Sequence, residues 1–74
     1  MSWYHGLYLF SSGERYEGDL EEGQKAGKGI YHYANGNCYE GEWSEDLKNG
    51  FGNFHFNSIG ERYEGEFLNG LRNG

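Results

Sequence analysis

The sequence Tyr-Glu-Gly occurs three times in this chain, and its spacing limits what the chain can fold into. The three copies begin at Tyr16, Tyr39 and Tyr63, so the motif recurs after 23 and then 24 residues. A large apolar residue follows each copy, and further glycines recur in register with it. Recurrence at a period of about 20 to 50 residues is typical of repeat architectures, in which each unit packs on its neighbours. The fold of one unit therefore predicts the fold of most of the chain.

The aligned copies divide the chain into two complete units between two half units. With 74 residues the chain is at most one compact domain. The last half unit stops where its aligned counterparts continue, which leaves open whether the chain belongs to a longer repeat protein. We predict one domain over 1–74, with a half repeat at 6–15, repeats at 16–38 and 39–62, and a half repeat at 63–74.

Glycine and aromatic residues dominate the composition and indicate an all-β fold. The chain has 14 glycines, no proline, and 14 residues of Tyr, Phe and Trp. Glycine disfavours helix, and aromatic side chains favour the pleated surface of a strand. Asn35-Gly36 predicts a tight hairpin turn. The stretches 21–28 and 44–51 are polar and contain glycine, which predicts longer connections. We expect an antiparallel meander of about six strands, near 6–10, 16–20, 29–33, 39–43, 52–56 and 63–67.

Alternation along these strands separates two faces, because successive side chains of a strand point to opposite sides. One face is predicted to be aromatic and the other acidic. The predicted aromatic face holds Tyr8, Phe10, Tyr16, Leu20, Tyr31, Tyr33, Tyr39, Trp43, Phe54, Phe56, Tyr63 and Phe67. The predicted acidic face holds Glu17, Asp19, Glu40, Glu42, Glu64 and Glu66.

A shared aromatic face also suggests how the strands align. Placing Tyr33 opposite Tyr39 puts Tyr31 across Gly41 and His32 across Glu40. An aromatic ring lying across a strand glycine shields backbone that water would otherwise reach. We therefore predict structural roles in strands and turns for Gly18, Gly27, Gly29, Gly41, Gly50, Gly52 and Gly65.

The charge and the single cysteine exclude some classes of function. Twelve carboxylates against six Lys and Arg give a net charge of −6, which disfavours nucleic acid and anionic lipid and favours basic or neutral proteins as partners. Cys38 is the one cysteine, which is typical of a reduced cytosolic protein. The N-terminus lacks a signal peptide pattern, and no apolar run approaches the roughly 20 residues of a membrane span. We expect a cytoplasmic protein.

Candidate reactive groups are few. His32 and His55 occupy equivalent repeat positions near Glu40 and Glu64, which predicts cross-strand charge pairs and no metal site, because the pairs do not converge. The carboxylates are spread along a solvated face without a nucleophile or an oxyanion donor. We predict no catalytic residue, no metal and no cofactor.

The stretch YEGEWSEDLKNGFGNFHF resembles the MORN repeat (membrane occupation and recognition nexus), and the resemblance covers nearly all of the chain from Gly6 onward. Leu20 replaces a frequent aromatic residue, and Asp46 stands where Gly23 and Gly70 indicate glycine. The resemblance implies a single-layer strip of successive hairpins. It also implies roles as scaffolds in cilia, flagella and cytoskeletal assemblies, as accessory domains beside lipid kinases or methyltransferases, or at membrane junctions.

We therefore expect a non-catalytic scaffold or protein-binding module that uses its aromatic face or its open strand edges, the latter also for self-association. Phospholipid binding and an accessory role in a larger enzyme are the alternatives. The aromatic rings can form a core, a binding surface, or both. The predicted partner-binding residues are Tyr8, Phe10, Tyr31, Tyr33, Trp43, Phe54, Phe56 and Phe67.

Overall fold

A computed structural model describes residues 3–73, and these form one antiparallel sheet. Strands that follow one another in sequence are neighbours in the sheet, which confirms the predicted all-β meander. A short seventh strand adds to the predicted six, and Met1, Ser2 and Gly74 lie outside the described residues. The strands are β1 (Trp3–Leu9), β2 (Arg15–Glu21), β3 (Gln24–His32), β4 (Cys38–Ser44), β5 (Leu47–Phe56), β6 (Glu61–Leu68) and β7 (Leu71–Asn73).

The hairpins within a repeat unit are much tighter than predicted. Two-residue turns replace the long connections expected at 21–28 and 44–51, so β3 and β5 begin earlier than the sequence indicated. Both turn residues have positive φ, as the twist-compatible two-residue hairpin requires. The prediction was wrong because glutamate occupies the first turn position twice and hides the signal. The turns are Glu22-Gly23, Glu45-Asp46 and Asn69-Gly70.

The hairpins between units are the longer ones. The connection expected as a tight Asn35-Gly36 turn spans residues 33–37, closed by hydrogen bonds from Tyr33 N–H to the Asn37 carbonyl (2.8 Å) and from Gly36 N–H to the Tyr33 carbonyl (3.0 Å). Gly36 alone of the central pair has positive φ, at 94°. The Asn-Gly signal therefore located a turn correctly but not its length.

The strand register differs from the predicted one by two residues. Tyr31 lies opposite Tyr39, and Gly41 lies opposite Gly29, so glycine faces glycine. The same register recurs between the other strands and produces two continuous rows across the sheet. The aromatic row is Tyr8, Tyr16, Tyr31, Tyr39, Phe54 and Tyr63. The glycine row is Gly6, Gly18, Gly29, Gly41, Gly52 and Gly65.

The glycine row is explained by the tyrosine that precedes each motif glycine. The Tyr39 ring lies over Gly41 and its cross-strand partner Gly52. A Cβ atom added at Gly52 would come within 2.5 Å of Tyr39 Cε1. The Tyr39 hydroxyl then donates a hydrogen bond to the Glu42 carbonyl oxygen at 2.9 Å. Tyr16 and Tyr63 donate equivalent bonds at 2.7 and 3.1 Å. Ring shielding of backbone was expected, but the ring comes from the same strand and covers two glycines at once.

The described residues form a single thin layer with one packed face. Its extents are 38 × 30 × 14 Å, which confirms the implied single-layer strip. None of the described residues belongs to a helix with the length and hydropathy needed to cross a membrane. The core lies on the aromatic face and contains the buried side chains Tyr16, Leu20, Tyr39, Trp43 and Phe67.

Candidate functional site

The aromatic face contains two groups of rings, and the deeper group forms the core. Its rings contact one another edge to face, with centroids 4.9 to 5.6 Å apart and interplanar angles of 83° to 88°. The Trp43 Nε1–H donates to the Gly29 carbonyl at 3.1 Å, which ties the group to the glycine row. This core chain runs in the order Tyr16, Trp43, Tyr39, Phe67 and Tyr63.

Two of the predicted partner-binding residues belong to this core chain. Trp43 is 6% exposed and Phe67 is 4% exposed, so both rings are buried, although Phe67 forms part of the wall of one cavity. Edge-to-face contacts with the motif tyrosines hold both rings in place. We assign Trp43 and Phe67 to the core.

The second group of rings lies at the surface and is continuous across the sheet. Neighbouring centroids are 4.7 to 5.9 Å apart. Phe10 is 43% exposed, and the other members are half-buried. Tyr8, also a predicted contact residue, lies beside Phe10 in a small cavity and is 43% exposed. We call this group the surface ladder; its members are Phe10, Tyr31, Tyr33, Phe54 and Phe56.

Several tyrosines of this face remain neutral well above physiological pH. Burial raises the pKa of Tyr16 and of Tyr39 to about 12. The pKa of Tyr31 also rises to about 12, first because of burial and then because its hydroxyl donates to Glu14 Oε1 at 2.6 Å. These hydroxyls therefore act as hydrogen-bond donors within the sheet.

Two lysines bring positive charge onto the aromatic face. Lys25 Nζ lies 5.4 to 5.9 Å from the ring centroids of Tyr16, Tyr31 and Trp43. Lys48 Nζ lies 5.7 to 5.8 Å from those of Tyr33, Tyr39 and Phe54. Each ammonium group is thus within cation–π range of three rings.

These lysines were not predicted as functional residues, although the sequence contains a signal for them. Lys25 and Lys48 are 23 residues apart, and Arg72 occupies the same position in the third copy. The repeat therefore has a basic column beside its glycine and aromatic columns. Long basic side chains were read only as contributions to net charge, because exposed lysine is the common case.

Shallow cavities open at both ends of the surface ladder. One cavity of about 230 Å³ lies beside Lys25 and Asp46, with Tyr8, Phe10 and Leu20 among its walls. The other, of about 290 Å³, has walls from Lys48, Phe54, Phe56, Phe67, Gly70 and Leu71. Both combine apolar walls with an ammonium group.

The opposite face is more mixed than predicted. An acidic row contains Glu17, Glu40 and Glu64, but the next row carries Arg15 and Arg62. The predicted pairing of the histidines with glutamates is wrong, because the two-residue change of register puts both histidines across from the cysteine; the pairs are His32 with Cys38 and His55 with Cys38. Within residues 3–73 no group of three or more His, Cys, Asp or Glu side chains is placed to hold a metal ion.

The remaining predicted glycines lie within β3 and β5, near the register shifts in the pairing with β2 and β4. Gly27 and Gly50 have positive φ, 63° and 103°, and the carboxylate of a neighbouring strand lies against each. Next to Gly50, Glu42 Oε1 accepts the Phe51 N–H at 2.6 Å. A side chain at Gly50 would overlap the Glu42 carboxylate, so glycine permits this contact.

The strand edges of the described sheet are β1 and β7. β1 carries exposed apolar side chains on both faces. Trp3 (50%), Leu7 (56%) and Leu9 (74%) lie on one face, and Tyr4 (62%) and Tyr8 (43%) lie on the aromatic face. β7 pairs with only three residues of β6, from Glu66 to Leu68. Open edges were expected at the first strand and at the strand near 63–67, but β7 pairs with the end of that second strand.

Comparison with known protein families agrees with this geometry. The sequence profile of the MORN repeat matches residues 16–38, 39–58 and 63–74, which is more than half of the chain. The matched segments begin at the three motif tyrosines, whose rings cover the glycine row. A search of curated proteins finds no significant match.

Proposed function

The chain belongs to the MORN-repeat family, and on that basis we propose that it is a protein-interaction module whose surface ladder receives an apolar segment of a partner protein. The observation that carries the proposal is the continuous ring surface that a single-layer sheet leaves half exposed. Contiguous exposed apolar patches mark interaction sites, and aromatic anchors carry much of the binding energy of interfaces.

The shape of the surface ladder favours a segment that runs across the strands. Phe10 follows β1, Tyr31 belongs to β3, and Phe54 to β5, so the rings are distributed across the strands of the sheet. An amphipathic helix or an extended peptide lying along this line would contact all five rings. A helix would do so with side chains spaced three or four residues apart.

The module is proposed to be non-catalytic, as MORN repeats generally are. The carboxylates of the opposite face lie in rows that cross the strands, so they do not converge on a nucleophile within one pocket. Scaffolding in a ciliary, flagellar or cytoskeletal assembly of the cytoplasm is the setting that the family resemblance implies, and we propose it for this chain.

The test is affinity capture from cell lysate with quantitative mass spectrometry. We expect proteins captured by the wild type to be lost, by about tenfold or more, with the double variant Tyr33→Ser/Phe54→Ser. Phe51→Ser is the matched control, because Phe51 is 59% exposed on the opposite face. Circular dichroism melting establishes that each variant is folded.

The same capture separates the alternatives. Equal capture by the wild type and the double variant would exclude the surface ladder as the binding surface. Enrichment of the chain itself would indicate self-association through β1 and β7. Pelleting with acidic vesicles, if the double variant removed it, would favour the phospholipid alternative.

A further inference from the structure

The two lysines of the aromatic face occupy equivalent positions, but their surroundings differ in charge. Lys25 Nζ lies 3.3 Å from Asp46 Oδ1, an ion pair. The residue equivalent to Asp46 beside Lys48 is Gly70, which has no side chain. The backbone contacts match, because Asp46 N–H donates to the Lys25 carbonyl at 3.0 Å and Gly70 N–H to the Lys48 carbonyl at 2.8 Å.

Lys48 can therefore pair with a carboxylate from a ligand, whereas Lys25 is already paired with Asp46. In the part of the chain that the structure describes, no carboxylate lies within ion-pair distance of Lys48 Nζ. The ammonium group donates one hydrogen bond, to the Tyr33 hydroxyl at 3.1 Å. An ammonium group has three N–H donors, so others remain available to a ligand.

The space beside Lys48 is suited to a side chain that is partly apolar. The cavity of about 290 Å³ is walled by Phe54, Phe56 and Phe67, with Leu71 at its rim. A ligand here would meet aromatic walls and one cation. This combination selects for a carboxylate that adjoins a large apolar group.

We propose that Lys48 and its cavity form a carboxylate-binding site for an acidic segment of the partner protein. An Asp or Glu side chain of that segment pairs with Lys48, as Asp46 pairs with Lys25, while a neighbouring large apolar side chain fills the cavity. The proposal rests on the proposed function and adds the chemistry of the partner.

The negative charge of the whole chain does not oppose this assignment. The glutamates of the acidic row, Glu17, Glu40 and Glu64, lie on the opposite face of the sheet. Charges across the sheet are weakened at physiological salt, where the screening length is about 8 Å. Glu14, on the aromatic side, already accepts hydrogen bonds from the Tyr31 hydroxyl and the Ala34 N–H.

The test uses two capped helical peptides and the complete 74-residue chain. Both peptides carry leucine and phenylalanine along one face; the flanking positions are glutamate in one and glutamine in the other. Binding is followed by two-dimensional NMR of the backbone amides. We expect the glutamate peptide to bind the wild type about tenfold more tightly, as a charge-assisted hydrogen bond allows.

Because Lys48 and Gly70 are equivalent to Lys25 and Asp46 in the repeat, the chain offers matched variants for this test. Lys48→Gln removes the cation, and Gly70→Asp gives Lys48 the internal counter-charge that Lys25 has; both should abolish the preference for glutamate. Asp is compatible with this turn position, because Asp46 has φ 70° where Gly70 has 86°. Lys28→Gln, on the opposite face, should retain the preference.

Each result decides between outcomes. Equal binding of the two peptides would overturn the carboxylate site and leave the proposed function standing. Absence of amide shifts on the aromatic face with either peptide would overturn both. A preference that survives Lys48→Gln, or Lys48-dependent binding of phosphatidylserine vesicles in place of the peptide, would overturn the acidic protein partner.

Discussion

The core chain and the surface ladder consist of the same kinds of residue on the same face, yet the core chain is buried except for the half-buried Tyr63, and the surface ladder is half exposed. Tyr39 of the core chain is 0% exposed, whereas Phe10 of the surface ladder is 43% exposed. Core-chain rings meet edge to face, at 83° to 88°. Ladder rings meet at shallower angles of 28° to 49°.

The residue two positions later explains the difference. Tyr39 is followed by Gly41, whose missing side chain lets the ring lie down on the sheet. Tyr31 is followed by Tyr33, and Phe54 by Phe56, so each of these rings meets another ring. Among the rings of the aromatic row, a glycine two positions later thus distinguishes the core-chain tyrosines from Tyr31 and Phe54 of the surface ladder.

The largest expected effect comes from filling the space under the core chain. A Cβ at Gly41 would lie 2.6 Å from the Phe51 carbonyl oxygen and 2.5 Å from the Gly52 Cα. Because backbone atoms cannot move aside, we expect Gly41→Val to destabilise the chain by at least about 4 kcal/mol and unfold the hairpin. Urea denaturation measures the change.

Gly6→Val is the matched control for Gly41→Val. Gly6 belongs to the same glycine row, but a Cβ there would meet only the Tyr8 ring edge, at 3.9 Å. We expect its effect on the free energy of unfolding to be within about 1 kcal/mol. Equal losses at the two positions would contradict the role given to the covering ring.

A smaller effect is expected from removing one ring of each group. Trp43→Ala should cost about 3 to 5 kcal/mol, because it leaves a cavity in the core chain and removes the hydrogen bond to Gly29. Tyr33→Ser should cost about 1 to 2 kcal/mol, because Tyr33 is already half-buried at the surface. Comparable losses in thermal melting would contradict the distinction between core chain and surface ladder.

Alkaline pH is expected to have the smallest effect up to pH 10, the ordinary pKa of tyrosine, and a growing effect above it. The folded state holds the pKa of Tyr16, Tyr31 and Tyr39 near 12, against an ordinary value of 10.0. A raised pKa means that the stabilisation is fully present below pH 10 and is lost as the pH rises through 12. Phenolate absorbance should show that Tyr16, Tyr31 and Tyr39 are still largely protonated at pH 11.

Changing Glu14 should affect the pKa of a tyrosine in the surface ladder but not that of a tyrosine in the core chain. Glu14→Gln should lower the pKa of Tyr31, because the Glu14 carboxylate contributes to its shift. The pKa of Tyr39 depends on burial and on Glu42, so it should not change. Identical titration curves for the variant and the wild type would exclude the hydrogen bond between Glu14 and Tyr31.

The sequence predicted the strands and faces well and predicted the register poorly. Alternation identifies the face of Tyr31 or Trp43, since a register change of two residues leaves every side chain on its face. It cannot identify partners across the sheet, so Tyr31 was wrongly placed opposite Gly41. The turn at Glu45-Asp46 was missed because neither residue is typical of a two-residue hairpin, although hydrogen bonding with Lys25 supports Asp46 there.

The repeat period by itself determined the fold: 23 residues hold two strands and two turns, and copies of one unit must pack as neighbours. Tertiary structure alone decided how charge and exposure are distributed. The chain has a net charge of −6, which led us to expect basic or neutral partners. The sheet carries Lys25 and Lys48 to the aromatic face, and among residues 3–73 only Lys25 of the two has a carboxylate counter-ion. Composition cannot report such separation, because it follows from which side of one layer each residue occupies.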